Sequence, residues 1–434
     1  MLNFVTEIWY LILPYLEFGL TILLTIWWIV LPYYALKLLH WSYLLWKYTN
    51  FLASVSSIIL EIKFPREMLK PLRVMEDVFG LIWGAVFDPA NTKEKYFEGK
   101  VLLGFSLEIV SLEGIPHFYM RIPKGARKMI EAAIHSQYPS VEISDAEDYT
   151  RNVPWDMPNK EWDLWGCDYM PPAAKSDVYP IKTYKKFFEQ NADAPYEEKR
   201  IDPISDLIEA YTKIGKGEQI WFQILASSAS DSENDYVKRG KAIVNDLTKR
   251  PKPKQEKSLF GQAIDIFSGN FGEEKADEKL LPPEMFLTPG EREVVSAIEE
   301  KISKVGFNCT IRSIYLAKRE NFFSPNKVIP IAYMNQFQTK HLGALLPWKP
   351  TITKIQAPDI MQERRTHIRK RDLFLRYVLR DSPFTPFSGG SCFLNVEEMA
   401  TLFHFPGFEV APTTQLERLE IRKAPPPATL PIEE

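Results

Sequence analysis

VLLGFSLEIVSLEGIPHFYMRIP, residues 101–123, is the stretch whose reading decides the fold. Val101, Leu103, Phe105, Leu107 and Ile109 alternate with their neighbours, the period of a strand buried on one face. Glu113-Gly114 supplies a turn, and Phe118, Met120 and Ile122 carry the alternation into a second strand. Next, Ile130, Ala133, Ile134 and Tyr138 are spaced as the buried stripe of a helix. Short strands are predicted at Val141–Ile143 and Tyr179–Tyr184. Asp202 and Pro203 then open a helix whose stripe is Ile204, Leu207, Ile208 and Tyr211. Ile220, Phe222 and Ile224 alternate in a further strand. From the second strand onward the order is β-α-β-β-α-β, with one additional strand in front. The sequence therefore predicts an α+β, ferredoxin-like domain over residues 64–248. The segment between Asp145 and Val178, rich in Pro and Trp, predicts no regular structure.

Toward the N-terminus, Phe18 to Leu36 carries no charge. As a helix it would reach about 28 Å, close to the hydrocarbon thickness of a bilayer. The stretch, with Phe18, Leu24, Trp27, Trp28, Leu31 and Leu36 along it, reads as a membrane-spanning helix in which Pro32 is tolerated. Only Glu7 and Glu17 are charged before it, whereas Lys37, Lys47, Lys63, Arg66, Lys70 and Arg73 follow. That asymmetry predicts a chain whose bulk faces the cytoplasm. A second apolar stretch, residues 40–62, carries Trp41, Tyr43, Trp46 and Tyr48 and reads as an interfacial helix or a return crossing. Residues 1–63 are thus the expected anchor, with the lipid bilayer as a partner.

Beyond residue 248 the reading is a linker, 249–285, opening with Lys249, Arg250, Lys252, Lys254 and Lys257. Phe260, Ile264, Phe267 and Phe271 recur in it at helical spacing, as a short amphipathic helix or as apolar residues in a disordered segment. A second α+β domain is expected over 286–424. Thr288, Pro289 and Glu291 form a helix start with a capping box, and Val294, Val295, Ile298, Ile302 and Val305 continue as its stripe. A strand at Phe307–Lys318 and helices at Pro325–Phe337, Pro358–Leu379 and Asn395–Phe403 follow. Pro425-Pro426-Pro427 begins an extended tail, 425–434.

With 53 basic and 56 acidic side chains, the net charge of −3 gives no global field for nucleic acid. Cys167, Cys309 and Cys392 lie far apart, which fits a reducing compartment and no zinc spacing. The pairs Gly99-Lys100, Gly215-Lys216 and Gly240-Lys241 all lack the Ser or Thr that a phosphate loop places next. The six histidines are scattered, and there is no Gly-x-Ser-x-Gly elbow. The expectation is a non-enzyme with no catalytic, cofactor-binding or metal-binding residues and no cofactor. One cluster stands out: Arg364, Arg365, Arg369, Lys370, Arg371, Arg376 and Arg380, opposed only by Asp372. On a helix these surround Ile368, Leu375 and Val378. They read as a patch for the phosphates of nucleic acid or lipid headgroups, or as a solvated face paired with a neighbour's acids.

Several segments together resemble a known family: GIPHFYMRIPKGARKMIEAAIHSQYPSVEI (114–143), DPISDLIEAYTKIGKGEQIWFQIL (202–225), KVGFNCTIRSIYLA (304–317), FLNVEEMATLFHFPG (393–407) and RKAPPPATLP (422–431). They look like the membrane-anchored, non-ATPase N-terminal region of bacterial ATPases related to type IV secretion, conjugation coupling proteins and HerA-like DNA pumps, common in candidate-phylum bacteria. In that family the Pro-rich segment leads into a P-loop motor, which has no counterpart before Glu434. The resemblance implies a non-catalytic component at the bacterial inner membrane that positions or recruits a P-loop ATPase on a separate chain. A homo-oligomeric ring would match such a motor. The other reading is a membrane-tethered scaffold for proteins or lipid with no link to DNA.

Overall fold

The structure, a computed structural model, describes residues 2–65, 71–190, 198–200, 202–229, 234–248, 287–355, 361–381 and 390–407. The amphipathic segment expected around Phe260–Phe271 and the tail from 425 lie outside the described residues. The chain divides into two units, residues 1–56 with 88–102, and residues 57–87 with 103–434.

The first unit is built on α1, Leu2–Ser54, which continues without a break through Pro14 and Pro32. A single π-helical turn, Glu94–Glu98, lies against it, with the His40 and Tyr96 rings 5.9 Å apart. Gly99 ends that turn at φ +74°, so close to α1 that a Cβ would stand 2.5 Å from the Lys47 carbonyl oxygen. Only glycine meets both demands.

Among the described residues, no helix is long and apolar enough to cross a membrane. This corrects the expected span at Phe18–Leu36, the tether built on it and the inner-membrane location. At about 1.5 Å per residue α1 is roughly 80 Å long, and the same helix runs on through Lys37, His40, Lys47 and Asn50. Nothing in its backbone marks an end near residue 36. Trp27, Trp28, Leu31 and Leu36 are exposed on it. The second apolar stretch is also divided differently: its first part belongs to α1, while residues 57–62 lie in a strand of the second unit.

The second unit is α+β around one antiparallel sheet. Its strands are β1 (Ser57–Lys63), β2 (Gly104–Leu112), β3 (Ile115–Pro123), β4 (Glu142–Asp145), β5 (Trp162–Met170), β8 (Glu218–Ser228), β9 (Gly306–Lys318), β10 (Leu346–Pro347) and β11 (Cys392–Asn395). Two short strands, β6 (Phe188–Gln190) and β7 (Glu198–Arg200), pair apart from it. The spatial order is β10-β5-β9-β8-β2-β3-β1-β4, with β11 on β9. Helix α2 (Arg73–Val86) joins β1 to β2, and α3 (Arg127–Gln137) joins β3 to β4. Helix α4 (Ser205–Thr212) lies between β5 and β8, and α7 (Ile329–Asn335) between β9 and β10.

The chain therefore runs β-α-β-β-α-β twice. Outward from the β2–β8 seam, each half presents its second, third, first and fourth strand in the same order. The seam runs from Gly104 opposite Ser227 to Leu112 opposite Gln219. Strands expected in two separate domains, 64–248 and 286–424, lie in one sheet. The second half also carries α5 (Tyr236–Leu247) and α6 (Pro289–Ser303), which close a small core of Val178, Val244 and Ile298.

The alternation read from residues 105–122 is the alternation of the two cores. Phe105, Leu107, Ile109, Phe118, Met120 and Ile122 face the main core, shared with α2, α3, α4, α7 and α9 (Val396–Leu402). Val110 and Tyr119 face a second core that α8 (Gln362–Leu379) covers. The capping box at Thr288 and Glu291 is formed. Residues 179–183 are irregular where a strand was expected, and β5 occupies the segment expected to be irregular.

Candidate anion-binding face

Helix α8 carries six of the seven basic residues singled out in the sequence, and Arg380 follows it directly. Leu373, Phe374 and Tyr377 pack it onto Trp221, Ile314 and Leu316. The Trp221 and Tyr377 rings lie 5.1 Å apart. Of the apolar strip expected on the helix, Ile368 is exposed, and Leu375 and Val378 are half-buried. The helix thus seats through a face turned toward its aromatic residues.

That seating divides the basic cluster. The Arg380 side chain is buried: Nε donates to Glu108 Oε1 at 2.9 Å and Nη1 to Asp148 Oδ2 at 2.6 Å. Glu108 also accepts from Ser106 Oγ (2.7 Å), Gln223 Nε2 (2.9 Å) and Tyr149 OH (2.7 Å). The buried carboxylate is thus supplied with donors at both oxygens. Burial alone would lower the Arg380 pKa, but Glu108 and Asp148 outweigh it and hold it above the ordinary arginine value. For Asp148 burial opposes ionisation, and the Arg380 guanidinium overcomes it and keeps the carboxyl below its usual range.

Arg376 Nη1 donates to buried Asp168 Oδ2 at 3.1 Å, and Arg312 Nε lies 3.2 Å from Oδ1 of the same carboxylate. Lys370 Nζ reaches Asp163 Oδ1 at 2.6 Å, and Arg369 Nη1 donates to the Ile352 carbonyl at 3.2 Å. Arg365 is half-buried, whereas Arg364 and Arg371 are exposed. Four of the seven candidates are thus committed to holding α8 down. Arg364 and Arg371 project outward.

Beside the N-terminal half of α8 lies a groove of about 610 Å³. Its floor is β5 around Leu164 and Trp165, and Arg319, Lys327, Lys354 and His367 stand around it. Arg319 Nε donates to the Asn159 carbonyl at 2.9 Å, and Lys327 Nζ to Ser324 Oγ at 2.8 Å. Lys354 is exposed. None of these residues was singled out from the sequence, because β5 was expected to be irregular. The signal was present in Trp165, Cys167 and Tyr169, which alternate with Leu164, Gly166 and Asp168.

Among the described residues no group of three or more His, Cys, Asp or Glu is placed to hold a metal ion. The three thiols are buried, which pushes Cys167 and Cys392 up to about 12 and Cys309 well above its usual value. No protein-family model matches the sequence, and no curated protein matches it significantly.

Proposed function

We propose that this chain is a non-catalytic component of a type IV secretion-like or DNA-transfer machine, a platform that positions or recruits a P-loop motor and touches nucleic acid through α8. Each half of the sheet is taken as a ferredoxin-like unit, since β-α-β-β-α-β with this strand order is that arrangement. The observation that carries the reading is the division of the basic cluster. Lys370, Arg376 and Arg380 meet carboxylates of the sheet and its loops, so α8 is tied down through them, and Arg364 and Arg371 stand in solvent on the same helix. Phosphate contacts of this kind give affinity without sequence preference. Resemblance to the coupling-protein family supplies the motor.

The test is fluorescence anisotropy of a labelled single-stranded oligonucleotide with the full chain at two salt concentrations. Binding should weaken with salt, with a slope of about −0.7 per phosphate neutralised. Arg364→Glu with Arg371→Glu should reduce affinity by about tenfold or more. Absence of salt-dependent binding, together with failure of any P-loop protein to co-purify, would leave a protein-binding scaffold as the better account.

A further inference from the structure

Two of the three thiols stand opposite one another. β11 runs antiparallel to β9, with Cys392 paired to Cys309, Phe393 to Asn308 and Leu394 to Phe307. Just past the end of β11, Val396 N donates to the Val305 carbonyl at 3.1 Å. Antiparallel bonding alternates, so Leu394 with Phe307 and Cys392 with Cys309 are hydrogen-bonded pairs too, with Cα atoms about 5.5 Å apart. Phe393, between them, turns its N–H the other way, to Asp177 Oδ2 at 3.0 Å. Directly opposed residues put their side chains on the same face of a sheet, and both cysteines belong to the main core.

A disulfide needs Cα atoms about 4.4–6.8 Å apart and Cβ atoms on one side. The pair meets both conditions without any change of register. Cys167 does not, because the residue opposite it on β9 is Ser313. Cys309 Sγ rests 3.4 Å from Met399 Sδ, a weak contact that it can exchange for a bond to sulfur. Burial holds both groups as thiols; the Lys301 ammonium favours the thiolate at each, and Glu398 disfavours it. Exchange is therefore slow while β11 lies on β9. Cys392 opens a strand of four residues, follows exposed Ser391 and is 3% exposed, against 0% for Cys309. It is the sulfur reached first when that short strand lifts.

From this opposition we infer that Cys309 and Cys392 form a reversible disulfide, a redox-sensitive staple between β9 and β11. The oxidant is a small disulfide such as oxidised glutathione. The Cys392 thiolate attacks one of its sulfurs, which forms a mixed disulfide and releases one glutathione thiolate. The Cys309 sulfur then attacks the Cys392 sulfur and displaces the second. The protons of the two protein thiols end on the two glutathione molecules, and the two electrons reduce the glutathione disulfide. Between the cysteines the chain carries α7, β10 and α8, so the bridge closes the base of the excursion that bears the basic helix. The inference does not depend on the proposed function.

The test is equilibration of the full, folded chain in buffers of stepped reduced-to-oxidised glutathione ratio. Remaining thiols are then alkylated in denaturant and counted by mass spectrometry. The reduced chain takes three alkyl groups, one for each cysteine. The oxidised chain should take one, at Cys167, with peptide mapping that joins Cys309 to Cys392, and dithiothreitol should restore all three. The Tm should rise on bridging, because the cross-link restricts the unfolded chain. Cys167→Ser should bridge as the unaltered chain does. Three alkyl groups at the most oxidising ratio overturn the inference. So does a bridge that involves Cys167 or joins two chains, a mixed disulfide that persists at Cys392, a bridge that forms only in denaturant, or one that leaves the Tm unchanged or lower. The decisive counts come from the unaltered chain, so the outcome does not hang on a variant that fails to fold.

Discussion

Lys301 Nζ lies 2.9 Å from Glu398 Oε2, and both side chains are shut away from solvent. The contact ties α6 to α9, whose seven residues are all buried. Glu398 also accepts from the backbone N–H of Ile181 at 2.9 Å and of Asn395 at 3.0 Å, so the carboxylate is fully engaged. Removing the lysine leaves that charge buried without its cation. Lys301→Met should cost about 3–5 kcal/mol in denaturant unfolding, and Lys301→Met with Glu398→Gln less than the sum of the two single changes. A single-variant loss under about 1 kcal/mol would show that the amide donors alone hold Glu398.

Arg380 occupies a position that helices usually give to glycine. Its φ of 53° and ψ of 46°, with Arg380 N bonded to Tyr377 O and Asp381 N to Arg376 O, form a Schellman ending to α8. The left-handed backbone costs about 1–2 kcal/mol for a residue with a Cβ. Arg380→Ala keeps that strain and loses the Glu108 and Asp148 pairs, for a loss of about 3–5 kcal/mol. Arg380→Gly should be milder by about 1 kcal/mol. Arg371→Ala, on the exposed side of the same helix, should stay within about 0.5 kcal/mol. Equal losses at residues 371 and 380 would refute the division of the cluster.

Acid should loosen the second unit in a defined window. Asp148, Asp177, Asp202 and Glu397 all resist burial-driven neutralisation and lie below their ordinary pKa values. The counter-forces are Arg380, Arg239, His404 and Lys304, respectively. A depressed folded pKa contributes stability that is complete above the unfolded value, about 4, and is lost as pH falls through the folded one. The Tm should therefore hold from pH 7 to about pH 5 and drop steeply below about pH 4. Asp148→Asn should flatten part of that drop. A Tm that rises on acidification would contradict these pairs.

Gly166 lies directly under Leu373 of α8. A Cβ there would stand 2.5 Å from the Ser313 carbonyl oxygen and 2.8 Å from Leu373 Cδ2. Gly166→Ala should cost about 1–3 kcal/mol and shift α8 outward. Faster hydrogen exchange at Leu373 and Phe374 would register the shift, and unchanged exchange would argue against it.

Much of the first half-sheet was legible because its strands alternate plainly: residues 105–122 and the stripe at Ile130, Ala133 and Ile134 fall where the pattern puts them. β1 was hidden because SIILEIK continues an apolar run begun in α1, and composition alone does not mark where a helix yields to a strand. β5 was hidden because it lies in a segment, Asp145 to Val178, whose richness in Pro and Trp predicts no regular structure. Asp168 sits at 0% exposure only because Arg312 and Arg376 meet it from β9 and α8, a pairing between distant stretches that no local pattern announces. The same non-local chemistry explains the basic cluster. Its residues could be seen in the sequence, but the carboxylates that claim Lys370, Arg376 and Arg380 lie between 207 and 272 positions away. The groove was invisible for the same reason as β5.

The β2–β8 seam has a mechanical consequence. The halves are joined by a full-length antiparallel ladder, with both cores continuous across it. Swinging one half against the other would break the whole row of amide bonds at once, so no hinge exists there. A load applied at the β4 edge would reach β10 as shear shared among many hydrogen bonds. The sheet would behave as a stiff plate, passing displacement from one rim to the other with little give.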